Sequence, residues 1–125
     1  MKLYRTDDET SISGTVAELQ GIRNRLNSLS ALNPIELNFD VNGSATPYEK
    51  LEPTLTVCLG RGPACLSLDD KLGLLLIGNK ESIGVFSSFF DFESGSFSGS
   101  HLHWDECCNS TYTSAETISL VVSVA

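Results

Sequence analysis

Between Thr15 and Val41 the hydrophobic period of this chain switches from that of a helix to that of a strand. Thr15 is followed three residues later by Glu18, the Thr-x-x-Glu pattern in which each side chain caps the other's backbone N–H. Val16, Leu19, Ile22, Leu26 and Leu29 then recur at spacings of three and four, one apolar stripe of an amphipathic helix. Gly21 weakens that helix by about 1 kcal/mol relative to Ala without breaking it. Asn33-Pro34 ends the region, because a residue before proline avoids the helical well. Residues 35–41, "IELNFDV", alternate without error: Ile35, Leu37, Phe39 and Val41 on one face, Glu36, Asn38 and Asp40 on the other. Such alternation predicts a half-buried strand of an antiparallel sheet.

The rest of the chain continues in the same two modes. Asn42-Gly43 is a turn signal, and the polar stretch up to Pro53 reads as a loop. Strands are expected at residues 55–59 ("LTVCL"), at "CLSL" after the "GRGP" turn, and at residues 71–78 after Asp69-Asp70. The last of these, "KLGLLLIG", is the most apolar and is therefore expected at the centre of the sheet. Asn79 can cap a second helix with Glu81 in its first turn and Ile83, Phe86 and Phe90 on its apolar stripe. Residues 93–100 form a Gly/Ser-rich link. "HLHWDE" and "TISLVVSVA" read as two closing strands, the second alternating Ile118, Leu120, Val122 and Val124. A faint echo joins "SISGTVAEL" to "LLIGNKESI": strand, Gly, capping residue, acid, start of an apolar helix face. The expected fold is one α+β domain over residues 1–125, a mainly antiparallel sheet of about six strands with two helices packed on one face.

Charge narrows the range of partners. Sixteen acids against eight bases give a net charge of −8 and a pI near 4.5. A field of that sign repels phosphate backbones and anionic lipid and favours a basic protein partner. No apolar run approaches the roughly 20 residues of a membrane span. "MKLYRTDDETS" carries no apolar core after its lysine, so a cytoplasmic location is expected. In that reducing setting Cys58, Cys65, Cys107 and Cys108 are expected as thiols, at least two of them as small core residues.

One short stretch, "SHLHWDECC", concentrates chemistry. On a strand, His101 and His103 share a face with Asp105, while Leu102 and Trp104 face the core. Imidazoles and a carboxylate can share a metal ion, so a small metal-binding protein or metal-dependent enzyme centred on these three residues is one reading. Against it, the chain has only two histidines, and the hydrolases that use His-x-His on a strand need larger folds with further histidines. No Gly-x-Ser-x-Gly elbow, phosphate-cradling loop or dinucleotide fingerprint is present. Asp69-Asp70 and the Asp91/Glu93 pair read as turn and rim residues rather than a general acid and base. No catalytic residue, cofactor or metal is assigned.

Three segments together resemble a known family. "SISGTVAELQGIRNRL" looks like its opening strand, Gly-Thr and helix, and "KLGLLLIGNKESIGVFSSFF" like its central strand, Gly and second helix. "GSHLHWDE", followed by "SAETISLVVSVA", looks like its C-terminal His-x-His block, with "CCNSTYTSAET" in place of a Pro-Gly-His-type turn. The family is that of the small immunity proteins of bacterial polymorphic-toxin and contact-dependent inhibition systems, the one numbered thirty-two. The resemblance implies a cytoplasmic, non-enzymatic inhibitor without cofactor that binds a cognate toxin domain, many of which are nucleases with basic clefts. The toxin-binding residues expected on an acidic surface are His101, His103, Asp105 and Glu106, with Asp69 and Asp70.

Overall fold

Thr15 stands in extended backbone ahead of α1 (Val16–Asn27). Its hydroxyl accepts the Glu18 N–H at 3.2 Å while the Glu18 carboxylate accepts the Thr15 N–H at 3.0 Å, so the capping box is complete. Leu19, Ile22 and Leu26 are buried, and Val16 and Leu29 pack partly against them. The helix stops well before Pro34, where the Ser28 N–H and hydroxyl both turn back onto the Arg25 carbonyl. Asn79 caps α2 (Lys80–Ser88) by accepting the Ser82 N–H at 2.8 Å. Ile83, Phe86 and, just past the helix, Phe90 fill the core as the stripe predicts.

The computed structural model describes residues 1–30, 33–107 and 111–125. Among them are nine strands: β1 (Lys2–Arg5), β2 (Glu9–Gly14), β3 (Ile35–Asn38), β4 (Lys50–Glu52), β5 (Thr54–Leu59), β6 (Cys65–Asp69), β7 (Gly73–Gly78), β8 (His101–Trp104) and β9 (Ser119–Val124). They form two mixed sheets, β4-β1-β2-β9-β8 and β3-β5-β7-β6. The α+β class holds, but the single antiparallel sheet of about six strands does not. The cause is two parallel pairings between segments distant in sequence, β2 with β9 and β5 with β7. Each half of the chain runs hairpin, helix, then closing strands. The last strand of each half pairs with the second strand of the other half, so each sheet draws on both.

Alternation predicts the inner faces well. Leu3, Ile12 and Val122 lie in one cross-strand row of the first sheet, and Leu120 and Trp104 in the next. Leu37, Leu55 and Leu74 align in the second sheet, as do Val57, Leu76 and Leu66. These residues and the two helices bury one common core, in which the Phe86 ring meets Trp104 edge-on at 4.9 Å. The strand from Ile35 stops at Asn38: Phe39 remains buried, yet Val41 is 50% exposed. Beyond Asn38 the backbone leaves β5, the Phe39 N–H donating to Pro53 and the Asp40 N–H to Met1.

The loop expected up to Pro53 contains β4, which pairs with β1. There Glu52 is buried and bonded to Arg5 Nε at 2.7 Å, with Lys50 Nζ at 3.6 Å. At the end of β7, Gly78 lies against Ala64, whose Cα would stand 2.8 Å from any added Cβ. The cysteines depart from expectation. Cys58 and Cys65 are half-buried on the outer face of the second sheet, either side of Ile77, and Cys107 is exposed. None of the three is a core residue. Cys108 lies outside the described residues.

Candidate protein interaction surface

Strand register places the acidic residues. The first sheet ends, on one side, where β1 stops at Arg5, β2 begins at Glu9, β9 begins at Ser119 and β8 stops at Trp104. β4 enters at the same end, Lys50 opposite Arg5. The turn between β1 and β2 holds Asp7 and Asp8, Glu49 precedes β4, and Asp105 and Glu106 follow β8. One end of the sheet thus carries Asp7, Asp8, Glu9, Glu49, Asp105 and Glu106. Of these only Asp105 is half-buried, and the others are exposed. Of all sixteen acids, every one but Glu52, Asp69 and Asp105 is exposed.

The chain is also asymmetric in charge. After Lys80 there are six carboxylates and no lysine or arginine, so residues 81–125, which span most of α2 as well as β8 and β9, carry most of the net charge. Carboxylates on a shared edge reinforce one another's potential at the distances of a docking partner.

His101 and His103 project from the outer face of β8, both exposed, their rings 5.1 Å apart and edge to face. His101 Nδ1 lies 3.0 Å from the Gly99 carbonyl oxygen. Trp104 is fully buried as expected, but Leu102, expected in the core, is 42% exposed. It sits on the inward side of β8, which among the described residues is an edge strand. Among the described residues no three His, Cys, Asp or Glu side chains gather closely enough to hold a metal ion. The His-x-His strand therefore gains no third ligand there, where a site needs three or four.

Asp69 and Asp70 are on the other sheet, at the β6–β7 hairpin. The Asp69 carboxylate accepts the N–H groups of Leu72 (2.9 Å) and Lys71 (2.8 Å), and these bonds, Leu72's first, hold its carboxyl below the usual range. It shapes the turn, as its position suggested. The six residues expected to act together therefore fall into two groups: His101, His103, Asp105 and Glu106 at β8, and Asp69 and Asp70 on a separate hairpin.

Residues the sequence did not single out complete the surface. Asp7, Asp8, Glu9 and Glu49 join the rim, and the run "TDDE" was a visible signal for a charged turn. Phe97 is 83% exposed in the turn that leads into β8. Cavities of about 230 Å3 beside Met1 and Tyr4, and about 120 Å3 between the helices, are lined by none of the β8 or hairpin residues named above. No helix of the described residues is long and apolar enough to cross a membrane. Comparison of the chain with protein families, with curated proteins and with solved structures finds no match.

Proposed function

We propose that this protein is a cytoplasmic immunity protein that binds and neutralises a cognate bacterial toxin domain, without catalysis or cofactor. The observation that carries the reading is the line of carboxylates at one end of the five-stranded sheet, exposed Asp7, Asp8, Glu9, Glu49 and Glu106 with half-buried Asp105. A nuclease toxin presents a basic cleft for phosphate, and a carboxylate edge can occupy those phosphate positions. Electrostatic steering raises association from about 10^5–10^6 M⁻¹s⁻¹ toward 10^8–10^9 M⁻¹s⁻¹ at low salt, which suits an inhibitor that must outpace its toxin. His101 and His103 border this edge, while Asp69 and Asp70 add to the overall field from the second sheet. The resemblance of the His-x-His block to toxin-immunity proteins points the same way.

The test is protection. Where a toxin domain is encoded beside this gene, cells expressing it are expected to grow when this protein is co-expressed and to arrest without it. Arrest in both cases would sink the reading. Protection that survives simultaneous reversal of Asp105 and Glu106 to lysine would move binding away from the rim.

A further inference from the structure

Two sheets have four edges, and three of them are closed or guarded. The β6 edge is covered by the segment leading into β9: Ala64 and Leu66 donate to Tyr112 and Thr117, and Ser114 and Ile118 donate back. On β3, which follows Pro34, the Arg25 guanidinium occupies the Glu36 carbonyl at 3.0 Å. β4 is three residues long, carries Lys50 and is followed by Pro53. Short length, lysine and proline are the usual protections of an open edge. β8 has no lysine, arginine or proline and, among the described residues, pairs with β9 alone.

Its backbone orientation follows from one bond. The Val124 N–H donates to the Ser100 carbonyl at 2.8 Å, so that carbonyl faces β9. Antiparallel alternation then turns Leu102 and Trp104 toward β9 and the N–H and C=O groups of His101 and His103 outward. Two of the exposed apolar side chains belong to this part of the chain: Phe97 in the turn that leads into the strand and Leu102 on it, 83% and 42% exposed. Beyond the strand come Asp105 and Glu106, in a part of the chain with no lysine or arginine.

We infer that β8 is a strand-addition site: an extended basic segment of the partner protein pairs with His101 and His103 as a sixth strand. Its alternate side chains lie against Phe97 and Leu102, and its lysines or arginines meet Asp105 and Glu106. Main-chain bonds supply affinity in this mode, and side-chain contacts supply selectivity. A second copy of this chain is disfavoured as occupant, because both copies carry a charge of −8. The inference rests on the toxin-binding reading and specifies how the partner is held.

A short synthetic peptide of alternating lysine and valine is the probe, titrated into the isotope-labelled protein and followed by NMR. Binding should slow hydrogen exchange at the His101 and His103 amides, and a glutamate–valine peptide should not bind. His103→Pro removes one outward N–H and no bond to β9, so it should abolish binding while His103→Ala retains it. Phe97→Ala, in an exposed turn where folding is not at risk, should weaken binding about thirtyfold, the scale of losing an interface hot spot. Peptide contacts away from β8, or binding indifferent to His103→Pro and Phe97→Ala, would overturn the inference. So would a dimer of this chain that His103→Pro dissolves. Protection of cells that persists in both variants defeats strand addition and leaves the immunity reading standing. Peptide binding at β8 without any protection against the toxin does the reverse.

Discussion

Gly78 and Gly21 show how differently one residue type can be placed. A methyl group at Gly78 would come within 2.8 Å of the Ala64 backbone, whereas nothing lies within 4 Å of one at Gly21 on the exposed side of α1. Gly78→Ala is expected to destabilise the protein by about 1–3 kcal/mol through overpacking. Gly21→Ala should stabilise it by about 0.5–1 kcal/mol through helix propensity. Urea unfolding midpoints measure both. Glu18 gives a pH-dependent counterpart. The Thr15 N–H first, then the N-terminal amine, hold its carboxyl below its ordinary value of 4.5. A lowered folded-state pKa means that the unfolded chain takes up the proton first as pH falls. The contribution is therefore present above about pH 4.5 and lost as pH drops through the folded value. Glu18→Gln should flatten that part of the acid stability curve, modestly, because the group is exposed. The capping box was legible in the sequence because all of its chemistry lies within four residues.

At the scale of elements, burial separates neighbours that a strand pattern treats alike. Leu102 and Trp104 share a face of β8, yet one is 42% exposed and the other meets Phe86 in the core. Phe86→Ala should cost about 3–5 kcal/mol by opening that aromatic contact. Leu102→Ala should change stability by less than about 0.5 kcal/mol. Thermal unfolding of the two variants distinguishes them. Alternation told which face of each strand points inward, and the two helices were placed by their caps and stripes. Strand neighbours were not legible, because parallel pairing of β2 with β9 and β5 with β7 depends on segments far apart in the chain. The exposure of Leu102 and the edge position of β8 among the described residues follow from that pairing and were hidden with it. β4 was missed because a three-residue strand offers almost no period to read.

Across the whole molecule, each sheet takes strands from both halves of the chain, so neither half can keep its sheet when the other unfolds. A single cooperative transition is expected, with calorimetric and van't Hoff enthalpies equal; two resolved transitions would contradict the interleaving. The same interleaving gathers the acidic rim, since Asp7, Asp8 and Glu9 come from the start of the chain and Asp105 and Glu106 from near its end. Two of the rim acids, Asp105 and Glu106, were candidates from sequence; the others became neighbours only through the fold. Acidic excess alone is common and often means solubility, whereas concentration along one sheet end gives the charge a direction. Under the proposed function, the rim meets its most direct test in the rate at which this protein associates with a purified cognate toxin domain. Screening shortens from about 30 Å at 0.01 M salt to about 10 Å at 0.1 M. The association rate is expected to fall steeply across that range, and to be slowed at low salt by reversing Asp105 and Glu106 to lysine. A rate indifferent to both salt and reversal would contradict binding through the rim.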